Sequence, residues 1–165
     1  MKRAIIILAA LILLAGAGCA KQNLGLNFDK MQQALTETGN ALGWTGGVID
    51  RPPGEDNFFG QSFIFYGPVK EESVETVVSD NIEIMELSTE EYATGVYKKD
   101  ECFKGAGKPI DVYGISGCCL NDAKKGTSRA IMSTGRYVFR ASDYFYANCK
   151  AGEYLKKFWG EYLKK

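Results

Sequence analysis

The 165-residue chain contains no histidine. That absence excludes Ser-His-Asp and Cys-His catalytic machinery, and it removes both the commonest metal ligand and the side chain best suited to proton transfer near neutrality. Net charge is also absent, with 20 Lys or Arg against 20 Asp or Glu, so a dedicated nucleic-acid binder is not expected. There is no G-x-G-x-x-G and no complete phosphate loop. The stretch GAGKP at 105–109 lacks the Lys-Ser/Thr ending and a preceding strand, and reads as a turn. No repeat, low-complexity tract or interior linker divides the chain, which points to one domain. An enzyme would therefore need paired carboxylates, a lysine base or a cysteine couple. Asp100, Glu101, Asp111, Asp122 and Asp143 all lie near loops, but no spacing fixes two of them as a pair. They read as solvated loop acids and turn caps, and neither an enzyme nor a cofactor is expected.

What is present begins with a leader. Lys2 and Arg3 precede an uncharged run, Ala4 to Ala17, rich in Ile, Leu and Ala. Spanning a bilayer takes about 20 apolar residues, so this shorter run reads as a secretory h-region followed by small residues at a cleavage site. Residues 1–18 are expected to be removed, 19–26 to form a tether, and 27–165 to form the domain. Ala17-Gly18-Cys19 resembles the end of the lipobox of prokaryotic lipoproteins, although Gly16 stands where that family usually carries Leu. Overlapping it, Ala15-Gly16-Ala17 is an A-x-A site for ordinary signal peptidase, which would cut before Gly18. The lipobox resemblance implies a lipid-modified Cys19 and attachment to the cell membrane on its extracytoplasmic face.

Cysteine arithmetic favours lipidation. Of five cysteines, Cys19 is consumed, leaving an even four: Cys102, Cys118, Cys119 and Cys149. Neighbours in an extended segment point to opposite faces, so Cys118 and Cys119 are expected to bond different partners. The sequence leaves open whether Cys102 joins Cys118 and Cys149 joins Cys119, or the reverse. A strained vicinal Cys118–Cys119 bond with Cys102–Cys149 is the redox-active alternative. Zinc or an iron-sulfur cluster is not expected, because structural sites present C-x2-4-C pairs and an exported protein favours disulfides.

Removing Lys2 and Arg3 leaves 18 basic side chains against 20 acids, a formal charge of −2 on the 147 residues that remain from 165 less 18. The charge is unevenly spread. Ten acids fall between Glu71 and Glu101 against Lys98 and Lys99, whereas Lys124 to Lys165 holds ten Lys or Arg against Asp143, Glu153 and Glu161. Two solvated faces that attract one another within one domain explain this more simply than a partner-binding dipole.

Asp29 with Gln32 resembles a capping box opening a helix that stops at Gly43. The segment 43–57 is turn chemistry in which Val48 and Ile49 pair briefly. Strands are expected at 61–69, 74–79, 82–87 and 110–115, and SRAIMSTGRYVFRAS at 128–142 reads as a hairpin around Thr134-Gly135. Ser88 with Glu91 opens a central helix. At the C-terminus Ala151, Leu155, Phe158, Trp159 and Tyr162 fall on one side of a helix and lysines on the other. These elements predict an α+β fold: a mainly antiparallel sheet of about five to six strands with N-terminal, central and C-terminal helices packed on one face. The run IEIMELSTEE, the hairpin STGRYVFRAS and the final helix loosely resemble small extracytoplasmic prokaryotic lipoprotein domains, a resemblance that carries over no functional residue.

Aromatics crowd the basic segment. Strand and helix periodicity assigns Tyr137, Phe139, Phe158 and Tyr162 to the core. Tyr144, Phe145 and Tyr146 are consecutive, so one periodic face cannot hide all three. With Arg136 and Arg140 they are the candidate contact for a small ligand or an envelope protein. The expectation is a membrane-anchored, non-catalytic binding or envelope-structural module without a metal, with a thiol-disulfide protein using Cys118 and Cys119 as the alternative.

Overall fold

A computed structural model describes residues 25–51, 61–72, 77–100, 102, 107–124, 126–144 and 149–165. Cys19, the segment 1–18 expected to be a leader, Phe145 and Tyr146 lie outside the described residues. The elements run α1 (Phe28–Ala41), β1 (Val48–Arg51), β2 (Ser62–Glu72), β3 (Val77–Glu86), α2 (Glu90–Lys99), β4 (Lys108–Val112), β5 (Ile115–Asp122), β6 (Thr127–Thr134), β7 (Tyr137–Tyr144) and α3 (Lys150–Tyr162). The seven strands form one sheet in the order β1-β2-β3-β7-β6-β5-β4, every neighbour antiparallel. After β3 the chain crosses through α2 to the far edge, then meanders back strand by strand until β7 closes against β3. The fold is a single α+β domain with one strand more than the upper expectation.

The extra strand arises at 110–115. Tyr113 and Gly114 both have positive φ, 53° and 80°, which makes a tight turn and splits the segment into the β4–β5 hairpin. Asp111 Oδ1 accepts from the Gly114 N–H at 3.1 Å, and this side-chain cap is the signal the alternation conceals. Conversely, of the strands expected at 74–79 and 82–87, residues 77–86 form one strand, β3, and residues 74–76 lie outside the described residues. Nor does β2 end at Gly67-Pro68: the pairing with β3 slips between Tyr66 and Val69, so the proline, which has no N–H to donate, is accommodated in a bulge.

Helix starts also differ in detail. Asn27, not Asp29, caps α1, its side chain accepting from the Lys30 N–H at 3.0 Å. Thr89 rather than Ser88 caps α2, accepting from the Tyr92 N–H at 3.1 Å.

Alternation along the strands separates two cores. On one face α1 and α3 lie over Phe63, Phe65, Ile82, Ile84, Met132 and Phe139. The apolar face of α3 is buried as its periodicity requires, with Phe158 and Trp159 at 0% exposure and ring centroids 5.7 and 5.0 Å from Phe139. The other face carries α2, whose Ala93, Val96 and Tyr97 meet Met85, Cys118, Ile131 and Val138. The central helix thus lies apart from the other two. Ile131, Val138 and Cys118 are the strand residues of opposite parity to those under α1 and α3, and they need a cover of their own.

Candidate functional site

The two faces are covered unequally. Seven strands at about 4.8 Å spacing span about 29 Å, and two helices about 10 Å across lie side by side on one face. Among the described residues the opposite face carries one helix, α2, about 15 Å long, which packs on β6 and β7. On this face the register aligns two rows of side chains. Ile64, Glu83, Arg140, Ile131 and Cys118 form one, and Tyr66, Asn81, Ser142, Arg129 and Leu120 form the other. Where these rows pass the C-terminal end of α2 there is a recess of about 210 Å³ lined by Asp100, Arg129, Ile131, Arg140 and Ser142, with Ala130 and Ala141 contributing along the strands.

Arg140 is its central group. One of its terminal nitrogens, Nη2, lies 3.8 Å from Asp100 Oδ2 and the other, Nη1, lies 4.0 Å from Met85 Sδ. Its Nε is buried and has no acceptor among the described residues. Asp100 in turn accepts from the Cys102 N–H through Oδ1 at 3.1 Å, so the segment leading from α2 into the first disulfide sets the position of the recess wall. The acidic and basic segments meet here, as they do at the Arg136–Glu86 ion pair.

Of the sequence candidates, Arg140 lines the recess, and Tyr144 shares its face of β7 by alternation. Arg136 does not join them. It follows Gly135 in the β6–β7 turn, at the opposite end of β7, where its partner Glu86 also accepts from the Tyr137 hydroxyl at 3.1 Å. The sequence reading missed Arg129, Ser142 and the place of Asp100, a loop acid or turn cap by its sequence, in the recess wall. The signal was available: a turn at Gly135-Arg136 sets residue 129 opposite 142 and 131 opposite 140, which puts both arginines on one face.

The cysteines pair as Cys102–Cys118 and Cys119–Cys149, with Cα separations of 6.0 and 6.1 Å. Cys118 faces α2 and Cys119 faces α3, so two adjacent residues of β5 fasten a helix layer on each side of the sheet. A Cβ on Gly107 would run into Cys118 Sγ and the Cys102 carbonyl, so the chain can pass the first disulfide there only as glycine.

A second polar cluster lies in the core. Asp143 was expected to be a solvated loop acid, but it sits on β7 at 0% exposure because its parity points it beneath α3. The Tyr154 hydroxyl lies 2.9 Å from Asp143 Oδ1 and 3.0 Å from Asp80 Oδ2, and Asp80 Oδ1 accepts from the Tyr144 N–H at 2.9 Å. A phenol has one proton to donate, so it bridges β3, β7 and α3 by alternating between two carboxyls. Burial, then Asp143 and Asp80, push Tyr154 well above the ordinary phenol range. Two acids therefore do converge, but inside the packed core, and they tie elements together. The acids at the surface act as caps: Asp111 for Gly114, Asp122 for Lys124 and Asp100 for Cys102.

No protein-family model matches the chain, and no curated protein matches it. Among the described residues no group of three or more His, Cys, Asp or Glu could hold a metal ion, and no helix is long and apolar enough to cross a membrane.

Proposed function

We propose that this protein is a lipid-anchored extracytoplasmic binding module, held to the cell membrane through Cys19 and non-catalytic in its folded domain. The observation that carries the reading is the recess beside α2, which presents the guanidinium of Arg140 with its donors incompletely used. Three features support it further. The leader ends in a lipobox-like Ala17-Gly18-Cys19, the four remaining cysteines form two disulfides as an oxidising compartment favours, and the chain has no histidine to act as a general base. In this reading the disulfides hold the two helix layers against the sheet, and the recess receives a small ligand or a side chain of an envelope protein.

Intact mass of the protein from its native membrane, before and after reduction and alkylation, tests the reading. A diacylated or triacylated Cys19, with four thiols released only on reduction, is the expected result. A chain that begins at Gly18, or thiols alkylated before reduction, overturns it and favours the thiol-disulfide alternative instead.

A further inference from the structure

The recess can be assigned a chemistry, an assignment that rests on reading this sheet face as a binding surface. We propose that it is a site for a small monocarboxylate with a short apolar body, with Arg140 as the group that recognises the carboxylate.

The argument starts from Arg140. A guanidinium offers five donors in a flat fork, and its two terminal nitrogens match the two oxygens of a carboxylate. Here that fork is poorly used within the protein. The nearest carboxylate is at 3.8 Å, beyond direct hydrogen-bond range, the sulfur contact is at 4.0 Å, and Nε has no acceptor among the described residues. Nε itself is closed to solvent, so the donors a ligand in the recess reaches are the terminal nitrogens, neither of which has an oxygen acceptor within hydrogen-bond range among the described residues.

Charge selects among oxyanions. Arg129 and Arg140 place two positive charges at the recess, and Asp100 at its rim with Glu83 beside Arg140 in the register returns two negative ones. A balanced surround accepts one negative charge more readily than the two of a phosphate monoester. Among the described residues that line it, Ile131 supplies the apolar side chain, while Ala130 and Ala141, whose methyl groups face α1 and α3, contribute backbone. At about 210 Å³ the space is smaller than the roughly 300–1,000 Å³ of drug-sized sites, so the body of the ligand is short. Ser142, next along β7 on the same face, supplies a hydroxyl to the ligand's second oxygen.

The test is a titration of the full chain, purified with its anchor in a non-ionic detergent, following the arginine Nε–Hε resonances by NMR at constant ionic strength. The probes are butyrate, inorganic phosphate, butanol and chloride. Butyrate is expected to move the Arg140 resonance saturably in the millimolar range, with butanol and chloride leaving it in place and phosphate binding at least tenfold more weakly. Arg140→Lys, which keeps the charge but loses the fork, is expected to weaken butyrate at least tenfold, as is Arg140→Gln. An Arg140 resonance that butyrate leaves unmoved, or that chloride or phosphate moves equally, overturns the proposal, and so does full retention of binding in Arg140→Lys. The wild-type titration decides the matter even where a variant fails to fold. Failure here leaves the lipid-anchor reading standing, because the mass measurement on Cys19 is independent of it. An unlipidated chain that still binds butyrate overturns the anchor reading and leaves this site intact.

Discussion

Opening the two disulfides separately measures how far the domain depends on them. Cys102–Cys118 closes a loop of sequence separation 16 and Cys119–Cys149 one of 30, and the loops follow one another without overlap. The chain-entropy argument gives about 3 kcal/mol for the first and about 3.6 kcal/mol for the second, and as independent constraints they add to about 6–7 kcal/mol. A domain of this size has about 5–15 kcal/mol in total, so loss of both is expected to leave it marginal or unfolded, while loss of one is tolerated. Urea titrations of Cys102→Ala/Cys118→Ala and Cys119→Ala/Cys149→Ala, followed by tryptophan fluorescence, read these differences directly. Trp159, packed against Phe139 at 0% exposure, reports on the α3 side. Wild-type protein reduced without alkylation is the control that keeps every sulfur in place.

The kinetics of reduction sharpen the test. Cys102 and Cys118 are each 3% exposed, so a reductant reaches the first disulfide only when the structure opens, whereas the second has the half-buried Cys149 at one end. Reduction of Cys102–Cys118 in native buffer is therefore expected to follow the rate of unfolding and to accelerate with urea. Rapid, reversible reduction with the fluorescence of the folded state preserved would refute the reasoning, since it would show that the bonds open without releasing the layers they fasten. That outcome would favour a redox role for Cys118 and Cys119.

Tyr154→Phe removes the hydroxyl shared by Asp80 and Asp143, and is expected to cost about 2–3 kcal/mol in urea because two buried carboxyls lose a common donor. Because the folded Tyr154 lies above its ordinary value of 10.0, its contribution is fully present below pH 10 and is lost as pH rises beyond it. Wild-type stability is expected to fall above pH 10 by up to about 1.4 kcal/mol per pH unit from this group, and the Tyr154→Phe profile to be flatter by that amount; parallel profiles would refute the assignment. Thr89→Ala should cost about 1 kcal/mol by loss of the α2 cap, while Ser88→Ala should change the urea midpoint little.

How much was legible depended on whether a signal was local and periodic. The face of α3 could be read because five apolar residues recur at helical spacing, and the β6–β7 hairpin because Gly135 marks its turn between two branched or aromatic runs. The opposite sides taken by Cys118 and Cys119 followed from the pleat alone. The β4–β5 turn was hidden because Tyr113 adopts a φ of 53° that its residue type rarely takes. Asp143 was misread because proximity to a loop in sequence says nothing of parity: one residue along the strand separates the half-buried Ser142 on the recess side from the buried Asp143 beneath α3. The recess depends on α2 crossing to lie over β6 and β7, a long-range packing decision that no local pattern encodes.

That packing links the first disulfide to the recess, and the link can be tested. Asp100 terminates α2, points Oδ2 toward Arg140, and is held from behind by the Cys102 N–H on Oδ1. Cys102 is in turn bonded to Cys118, two strands from Arg140 along the row that continues through Ile131. Cutting Cys102–Cys118 releases the end of α2 and the wall it forms, whereas cutting Cys119–Cys149 releases α3 on the other face of the sheet. Although the second bond closes the longer loop and is expected to contribute more to stability, only loss of the first should alter the recess. In the folded state of each variant, the Arg140 Nε–Hε resonance and its response to butyrate are expected to change in Cys102→Ala/Cys118→Ala and to stay as in wild type in Cys119→Ala/Cys149→Ala. Equal changes in both, or a change confined to the second, would show that the recess is held by the sheet rather than by the fastened end of α2.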